Sequence, residues 1–489
     1  MTALPLIDEP LWSGLGLVAP LQARMRGRVP AGVRGISIDT RTLQPGDLFF
    51  AIKGENSDGH THLGQAFTNG AAAAVVDEDH AEAPNATGPV YVVKDVLAAM
   101  ENLGRAARAR STARIAAVTG SVGKTSTKEA LALVLSDAGP THASTASYNN
   151  HWGVPLTLAR MAGAARYGVF EIGMNHAGEI TPLVALVRPH VAIITTIAPV
   201  HLAQFSGIEA IAAAKAEIFT GIVKGGVAIL HRDIAQWGQL QKAANAAGIR
   251  HVLSFGSSKE ADARITSIDV FPEGTYVEAE VLGQSLRYRM AAPGKHFAEN
   301  SLAVLLAARA MGLDLVKAAK SLEHFRPPAG RGHRIVLRLH HGEATLIDES
   351  HNANPASMRA ALEVLGALPV TGEGRRIAVL GDMLELGPDE KKLHAEISGA
   401  ISRNKIDVVF AAGPLMRQLY ELLPKQRRGA WFATAAELEA AIVPVLVPGD
   451  VIMIKGSNGS RMGPLAKALA TQFSSARPIL SGEILPRIA

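Results

Sequence analysis

The chain of 489 residues contains no cysteine, which excludes disulfide bonds, thiolate nucleophiles, cysteine-ligated zinc and iron–sulfur clusters. Its longest apolar stretch, around Val191 to Val200, is about half of the ~20 residues that a membrane span requires. The 49 basic residues barely exceed the 44 acidic ones, so the sequence lacks the concentrated positive charge that nucleic acids bind. Asp8 and Glu9 stand where a signal peptide carries basic residues. We therefore expect a cytoplasmic protein without a membrane span and without a nucleic-acid partner.

The sequence divides into three predicted domains. Hydrophobic residues make up 48% of the chain, and its length predicts roughly two to four domains. Short apolar runs alternate with helical patterns, which is typical of α/β architecture. Two segments have the composition of boundaries: the Arg- and Ala-rich stretch 105–114, and residues 325–330, where two prolines and a glycine interrupt a helix. We place the domains at residues 1–112, 113–328 and 329–489.

The clearest local motif is a glycine loop between a predicted strand and a predicted helix. Backbone N–H groups in such a loop converge on phosphate oxygens, and the start of the following helix favours negative charge. We expect Lys124 to reach the β- and γ-phosphates of a nucleoside triphosphate and the Thr125 hydroxyl to bind Mg²⁺. Val118 stands where the full motif has glycine, and the alternative is an ordinary capped turn. The residues of the predicted nucleotide loop are Gly120, Ser121, Val122, Gly123, Lys124, Thr125 and Ser126.

A carboxylate and a histidine follow buried strands in the same predicted domain. Glu171 ends one apolar run, and the predicted strand 191–197 leads to His201. Ligands gather at the carboxyl edge of a parallel sheet, so these two residues beside a phosphate loop predict a Mg²⁺ site. Each residue taken alone is more often a structural group whose hydrogen bonds are satisfied within the protein.

Lys215 lies on the apolar stripe of a helix predicted over residues 208–224. Its neighbours on that face include Ile211 and Ile218. Burial there would lower the pKa of the amine, and a neutral amine can add CO₂ to form a carbamate, which is an oxygen ligand. The alternative is a lysine whose stem covers apolar surface while its ammonium stays in water, and the helix pattern by itself favours that alternative.

The order of the motifs TGSVGKTS, YNNHWGVPLTL, FEIGMNH, VHLAQF, AKAEIF, PGKHFAEN and GRGHR resembles the central domain of the Mur ligases. These enzymes form amide bonds with ATP during peptidoglycan synthesis. The resemblance implies two Mg²⁺ ions, with Thr125, Glu171, His201 and a carbamylated Lys215 as ligands. It further implies that Asn300 and Arg331 contact the nucleotide, and that Lys124, Glu171, His201 and Lys215 are the catalytic residues.

The flanking domains resemble particular members of this family. The segment from Ser37 to Arg41, continuing through LQPGDLFFAIKG, resembles the N-terminal domain that holds a UDP-sugar. The stretches DESHNANPASM, VLGDMLELG and IKGSNGSRM resemble the ligase that adds D-alanyl-D-alanine to UDP-N-acetylmuramoyl-tripeptide. The implied fold is a central P-loop ATPase-like parallel sheet domain, flanked by a small α/β N-terminal domain and a Rossmann-like C-terminal domain. The C-terminal domain would bind the incoming dipeptide and part of ATP, and we expect a monomer.

Several polar residues of the flanking motifs are candidates for ligand contacts. Asp348 ends a predicted strand and is a candidate nucleotide contact. Asn354 precedes a proline at a predicted helix start, so capping is at least as good an interpretation as substrate contact. Lys455 follows another strand and could contact an anion or a peptide. The candidate substrate contacts are Thr40, Arg41, Asn150, Asn352, Asn354, Lys455 and Ser457.

The implied chemistry needs no nucleophile from the enzyme. A peptide carboxylate would attack the γ-phosphate of ATP, and the dipeptide amine would then attack the acyl phosphate and expel phosphate through a tetrahedral intermediate. Alternatives within the superfamily are the ligase that adds the third residue and folylpolyglutamate synthetase. A P-loop nucleotide switch or motor is the alternative from another class. The third residue of the accepted tripeptide, diaminopimelate or lysine, stays open at this point.

Overall fold

A computed structural model describes residues 9–54, 57–145, 147–200 and 202–473. Three large sheets follow one another along the chain, and a separate two-stranded sheet lies near its start. The predicted three-domain α/β fold is thereby confirmed, while the boundary residues stay a prediction. No helix in the described part of the chain is both long enough and apolar enough to cross a membrane.

The N-terminal sheet has five strands in the order β2-β7-β6-β5-β4, and all neighbours are parallel except β2 and β7. Because β4 and β5 are parallel, the segments that follow them emerge at the same edge of the sheet. The elements of this region are β1 (Trp12–Ser13), α1 (Gly14–Leu21), β2 (Arg24–Arg26), β3 (Gly32–Val33), β4 (Gly35–Ser37), β5 (Asp47–Phe50), α2 (Leu63–Thr68), β6 (Ala73–Asp77), β7 (Val90–Val93) and α3 (Val96–Arg110).

The central sheet has nine strands in the order β16-β15-β14-β13-β12-β11-β8-β10-β9. It is parallel from β9 to β14, and the last three strands form an antiparallel meander. The elements are β8 (Arg114–Thr119), α4 (Lys124–Ser136), β9 (Thr141–Ala143), α5 (Gly153–Ala159), β10 (Tyr167–Glu171), α6 (Ile180–Val187), β11 (Val191–Ile194), α7 (Ile208–Ala216), β12 (Val227–His231), α8 (Trp237–Ala246), β13 (His251–Gly256), β14 (Ala263–Phe271), β15 (Gly274–Val281), β16 (Gln284–Met290), α9 (Lys295–Ala310) and α10 (Leu315–Ser321).

Helices cover both faces of the central sheet, which explains why its parallel strands are continuous apolar runs. One core packs α4, α9 and α10 against the sheet, and a second core packs α5, α6, α7 and α8 against the opposite face. The strand β8 lies between β10 and β11. The loops after these three strands therefore meet at one point on the carboxyl edge of the sheet.

The C-terminal sheet has six strands in the order β17-β18-β22-β19-β20-β21, and only β17 is antiparallel to its neighbour. Apolar cores lie on both of its faces, as expected for a Rossmann-like domain. Its elements are β17 (His333–Leu339), β18 (Gly342–Glu349), α11 (Pro355–Ala367), β19 (Arg376–Gly381), α12 (Glu390–Ala395), α13 (Ile397–Arg403), β20 (Val408–Ala412), α14 (Met416–Leu422), β21 (Arg428–Phe432), α15 (Leu438–Ile442), β22 (Val451–Lys455) and α16 (Met462–Gln472).

Two elements are shorter than the sequence predicts. The helix predicted over residues 208–224 is α7 up to Ala216 and then a 3₁₀ turn, Glu217–Gly221. The chain packs closely on α6 there, since a Cβ on Gly221 would lie 2.5 Å from the Val184 carbonyl oxygen. The strand predicted over 191–197 ends at Ile194 because the next residues turn towards the phosphate loop.

Candidate active site

The predicted phosphate loop lies between β8 and α4 and curls tightly. Gly123 has a φ of 86° and immediately precedes the first turn of α4, where a residue with a side chain would be strained. Gly120 has a φ of 146°, and a Cβ there would lie 1.9 Å from the Thr195 hydroxyl oxygen. The glycines thus allow the backbone to approach both the helix start and the segment that follows β11.

Side chains and backbone after β11 hold the phosphate loop in place. The Thr195 hydroxyl, which is fully buried, donates to the Val122 carbonyl at 2.6 Å. The Ser121 amide donates to the Thr196 carbonyl at 2.8 Å, and its hydroxyl contacts the Ala198 backbone at 3.0 Å. Sequence reasoning missed Thr195, because its role depends on β11 being the neighbour of β8.

Lys124 begins α4 and faces the cleft above the loop. Its ammonium donates to the Gly120 carbonyl at 2.9 Å. Burial lowers the pKa of Lys124, and the positive charge of Arg331 lowers it further, while the Glu171 carboxylate opposes both effects. A lysine in this position can turn from the carbonyl towards a bound phosphate.

Glu171 is fully buried at the end of β10, beside the first turn of α4. One carboxylate oxygen accepts from the Thr125 hydroxyl at 2.7 Å, and the other accepts from the Asn149 side-chain amide at 2.7 Å. The structure therefore brings together Thr125 and Glu171, which the sequence predicts as Mg²⁺ ligands. Both residues offer oxygen atoms, which are the ligands that a hard divalent cation prefers. The two groups that donate hydrogen bonds to Glu171 are neutral, so neither of them adds a positive charge beside the bound cation.

Lys215 lies on α7 with only 2% of its surface exposed. Burial lowers its pKa well below the usual value for lysine, and the charge of Lys124 lowers it further. The Lys215 carbonyl accepts from the Glu217 amide at the end of α7, but among the hydrogen bonds and ion pairs of the described residues, none involves the Lys215 side chain. A lysine that covers apolar surface would keep its ammonium in water, and Lys215 does not. His201, the remaining predicted ligand, lies outside the described residues.

Ser147 joins the central domain to the C-terminal domain. Its hydroxyl accepts from the Arg331 guanidinium at 3.0 Å and lies 3.3 Å from the His351 ring nitrogen Nε2 and 3.5 Å from the Thr125 hydroxyl. Burial and the nearby charges of Arg331 lower the pKa of His351 to about 4. The ring is therefore neutral at pH 7, in a site that otherwise carries several positive charges.

Buried Lys128 on α4 anchors the segment that carries Ser147. Its ammonium donates to the Ser144 carbonyl at 2.6 Å and to Glu129 at 2.5 Å. Sequence reasoning missed Ser147, Asn149 and Lys128. The motif YNNHWGVP and the residues after the glycine loop pointed to this region without showing these contacts.

The C-terminal side of the site is built on the ends of β18 and β22. The Asp348 carboxylate accepts from the Gly330 amide at 2.9 Å and from the Ser350 amide and hydroxyl at 3.1 and 2.5 Å. Asp348 therefore holds the turns that carry Arg331 and His351. Its contact with the nucleotide stays a prediction. Lys455 is buried and donates to Glu349 at 3.1 Å and to the Asn352 carbonyl at 3.0 Å.

Two of the predicted polar contacts have clear structural partners. Asn354 caps α11, because its side chain accepts from the Ser357 amide at 2.9 Å and Ser357 returns a hydrogen bond. Asn354 therefore has the capping role that the sequence offered as one alternative, and its substrate contact stays a prediction. Asn300 on α9 lies beside the phosphate loop, since a Cβ on Gly123 would be 2.6 Å from its side-chain nitrogen.

These groups surround an open cleft of about 1100 Å³, here called the phosphate-loop cleft. It lies between the glycine loop, the segment around Ser147 and the C-terminal residues 330–361. Ten of the twenty residues that the sequence predicts for nucleotide, metal or substrate binding line it. They are Ser121, Val122, Gly123, Lys124, Ser126, Glu171, Arg331, Asn352, Asn354 and Lys455.

A second and larger cleft, the N-terminal cleft, lies at the edge of the N-terminal sheet. The segments after β4 and β5 form one wall, with Thr40 and Arg41, and Asn150 and Trp152 of the central domain form the other. Arg41 is exposed and pairs with Asp39 at 2.6 Å, and this contact lowers the pKa of Asp39. The structure thus brings together three of the predicted substrate contacts, from two domains.

Two further clefts extend from the phosphate-loop cleft. The connecting cleft is bounded by Glu101, Asn150 and Asn175; it shares Asn150 and His151 with the N-terminal cleft and Asn149 and Asn175 with the phosphate-loop cleft. The C-terminal cleft is bounded by Lys124, His351, residues 384–386 and Ser457. The clefts therefore adjoin one another in series from the N-terminal domain to the C-terminal domain, and Lys124 lines both of the last two.

One histidine–carboxylate cluster lies beside the N-terminal cleft but does not line it. Among the described residues, Asp58, His60 and His80 are the one group of three whose ligand atoms lie close enough to hold an ion. The two rings stack with centroids 3.9 Å apart and planes 15° from parallel. An ion must lie in the plane of each ring that binds it, and nearly parallel stacked rings do not share such a point. The cluster is a hydrogen-bonded anchor of the loop that lines the N-terminal cleft.

Three domain profiles of the Mur ligase family match the chain. The family's catalytic domain matches residues 32–108, its middle domain matches 118–308, and its glutamate ligase domain matches 333–458. These ranges cover parts of all three domains.

Relatives that carry the name of one ligase match along most of the chain. A UDP-N-acetylmuramoyl-tripeptide–D-alanyl-D-alanine ligase of Escherichia coli is 34% identical over 439 residues, which is 89% of this chain and 93% of that protein. The ligase of the same name from Rickettsia prowazekii is 32% identical over 427 residues, covering 87% and 93%. The crystal structure of MurF from Acinetobacter baumannii superposes with a TM-score of 0.80 at 30% identity and covers 96% of this chain and all of that one.

Proposed function

The chain belongs to the Mur ligase family, and we propose that it joins D-alanyl-D-alanine to UDP-N-acetylmuramoyl-tripeptide at the expense of ATP. The product is the UDP-muramoyl-pentapeptide used as a peptidoglycan precursor, with ADP and phosphate released. The observation that carries this proposal is the series of adjoining clefts that meets the phosphate loop at Lys124. Such a series suits a reaction that brings three substrates together from different sides.

The N-terminal cleft suits the UDP end of the first substrate. Arg41 provides an exposed guanidinium for a diphosphate, and the aromatic rings of Tyr148 and Trp152 line the same cleft. The sugar and peptide would then extend through the connecting cleft, past Asn149 and Asn175, to the phosphate-loop cleft. On this route the terminal carboxylate of the tripeptide would lie near Lys124.

The proposed reaction has two steps beside Lys124: the tripeptide carboxylate first reacts with ATP, and the dipeptide amine then reacts with the acyl phosphate. A carboxylate oxygen of the tripeptide attacks the γ-phosphorus of ATP, and the bond to the β-phosphate oxygen breaks to release ADP. The dipeptide ammonium loses one proton to solvent, and the resulting amine attacks the carbonyl carbon of the acyl phosphate. The nitrogen then loses a second proton to solvent, the tetrahedral intermediate collapses, and phosphate leaves with the former carboxylate oxygen. Lys124, Arg331 and the loop amides stabilise the negative charge in both steps.

Thr125 and Glu171 would hold Mg²⁺ beside the phosphates, and His201 is a further predicted ligand. The buried oxygen atoms of the first two residues fit this ion. When bound, Mg²⁺ neutralises charge on the transferring phosphate and orients its oxygens. The Asn149 amide holds the Glu171 carboxylate from the other side and keeps it in position.

We further propose that Lys215 carries a carbamate that supplies oxygen ligands to a second ion. The supporting observations are its burial, its strongly lowered pKa and the lack of any side-chain partner among the described residues. A neutral amine adds CO₂ at carbon and loses one proton, which converts a potential positive charge into a negative one. That change of sign also relieves the repulsion between Lys215 and Lys124.

The direct test of the function is product formation by the purified protein with ATP, UDP-N-acetylmuramoyl-tripeptide and D-alanyl-D-alanine. We expect ADP release to require both other substrates, and mass spectrometry to show the pentapeptide product. Parallel reactions with a diaminopimelate-containing and a lysine-containing tripeptide identify the preferred third residue. Activity with folate and glutamate instead, or nucleotide hydrolysis stimulated by polynucleotide, would contradict the proposal.

A further inference from the structure

A crevice lies in the C-terminal domain directly behind the C-terminal cleft. It opens at the carboxyl ends of β19, β20 and β21. Apolar residues, among them Ala412, Pro414, Ala435 and Leu465, form much of its lining, and Asp382, Glu439 and Arg461 also line it. Only Leu384 and Gly459 line both this crevice and the C-terminal cleft. These two residues therefore form the partition between the two spaces.

The backbone of Leu384 is fixed from two sides. Its amide donates to the Ser457 hydroxyl at 2.9 Å. The preceding amide, of Met383, donates to Nε2 of the fully buried His394 at 2.9 Å, and Nδ1 of that ring lies 2.6 Å from the Glu390 carbonyl. The next residue, Glu385, has a φ of 63°, an unusual value that such a fixed loop can maintain. These hydrogen bonds fix the backbone of the loop and thereby the position from which the Leu384 side chain extends.

The Leu384 side chain lies against the backbone of Gly459. A Cβ on Gly459 would be 2.7 Å from the Leu384 Cδ1 atom. Leu384 is 39% exposed, so its side chain faces open space in the clefts and is not part of a core. Its removal would therefore join the cleft to the crevice with little effect on packing.

The C-terminal cleft shares different residues with the two spaces beside it, and these residues indicate which end of the dipeptide lies where. It shares Lys124 and Ser121 with the phosphate-loop cleft, and Leu384 and Gly459 with the crevice. The amine has to lie at the Lys124 end, where the acyl phosphate forms. The second residue of the dipeptide consequently lies towards Leu384 and Gly459.

We propose that Leu384 sets the size of the second residue that the enzyme accepts in the dipeptide. The wall that it forms with Gly459 would limit the space for the second side chain, and the apolar part of the crevice behind it, with Ala412, Pro414, Ala435 and Leu465, would accept a larger aliphatic side chain if the wall were removed. This inference rests on the proposed ligase function. It adds a determinant of substrate size to that function.

The test measures kcat/KM for D-alanyl-D-alanine and for D-alanyl-D-leucine with wild-type enzyme and Leu384→Ala. We expect the ratio that favours D-alanyl-D-leucine to rise at least about tenfold in the variant, since apolar pockets discriminate by roughly this amount for small changes in side-chain size. Leu422→Ala changes a leucine that is 60% exposed on α14 and serves as the control, with an unchanged ratio. An unchanged ratio in Leu384→Ala, with wild-type thermal unfolding, would overturn the proposal.

A second pair of variants tests the partition without depending on a larger substrate. Gly459→Ala adds a methyl group against Leu384, so we expect kcat/KM for D-alanyl-D-alanine to fall. The double variant Leu384→Ala with Gly459→Ala removes that clash, so we expect part of the loss to be recovered. A loss that the double variant does not relieve would show that Leu384 is not the partition. Wild-type enzyme that is inactive with D-alanyl-D-alanine would instead refute the ligase function.

Discussion

The hydroxyl of Thr125 donates a 2.7 Å hydrogen bond to the carboxylate of Glu171, joining the first turn of α4 to the end of β10. These residues lie 46 positions apart in the chain. They meet because β8 and β10 are parallel neighbours, so the loop that leads into α4 and the end of β10 occupy the same edge of the sheet. The phosphate loop and the proposed metal site are consequently one structure, and the predictions that follow test its parts.

Lys124→Ala should reduce ligation by about 10² to 10³-fold while the protein stays folded. The variant removes the cation that faces the transferring phosphate, and its hydrogen bond to Gly120 contributes little to the fold. Steady-state ADP release and thermal unfolding measure the two effects. Lys242→Ala, an exposed lysine on α8, is the matched control. Near-wild-type turnover in Lys124→Ala would show that the loop has only a structural role.

Thr195→Val should raise the KM for ATP several-fold more than the KM for the dipeptide. The change keeps the side-chain shape but removes the hydroxyl that donates to the Val122 carbonyl, so the phosphate loop loses a fixed contact. A buried hydrogen bond of this kind contributes about 1 kcal/mol. Thr195→Ser retains the hydroxyl and should restore ATP affinity. Equal KM values in Thr195→Val and wild type would mean that the loop keeps its shape without this contact.

Arg41→Ala should raise the KM for the UDP-tripeptide by about tenfold or more and leave the KM for ATP unchanged. A charge-assisted hydrogen bond between arginine and phosphate contributes about 1.5–3 kcal/mol. Arg28→Ala changes another exposed arginine of the N-terminal domain and should have no effect. If both KM values rose together in Arg41→Ala, the N-terminal cleft would not be the specific site of the UDP group.

Lys215→Ala should abolish most ligase activity, and added short carboxylic acids should restore part of it. The proposed carbamate supplies oxygen ligands, and a small carboxylate can occupy the space that the side chain leaves. Mass spectrometry of the intact protein at neutral pH, with and without added CO₂, measures the modification itself. Lys224→Ala, an exposed lysine just beyond the 3₁₀ turn, is the control. Full activity in Lys215→Ala would exclude the carbamate.

Local patterns predicted the parts of the site that depend on residues close in sequence. The glycine loop before α4 and the cap Asn354 before Pro355 both depend on contacts within a few residues. The burial of Lys215 follows from the apolar stripe of α7, although the pattern by itself favoured an exposed ammonium. The resemblance to the Mur ligases favoured a buried, carbamylated lysine over an exposed ammonium.

The parts that sequence reasoning missed depend on the order of strands and on contacts between domains. Thr195 holds the phosphate loop because β11 adjoins β8. Ser147 contacts Arg331, 184 positions away in the C-terminal domain. The proposed role of Leu384 depends on two spaces in the fold that its side chain borders. No periodicity or local motif encodes contacts of this kind.

The most direct test of the proposed chemistry follows an oxygen atom from the tripeptide to the released phosphate. The reaction is run with tripeptide labelled with ¹⁸O in its terminal carboxylate, and the phosphate is analysed by mass spectrometry. Activation of this carboxylate at the phosphate loop predicts one ¹⁸O atom in each phosphate released along with the pentapeptide product. Unlabelled phosphate released along with the pentapeptide, with the ¹⁸O atom that the carboxylate loses found in water or in AMP, would contradict the account.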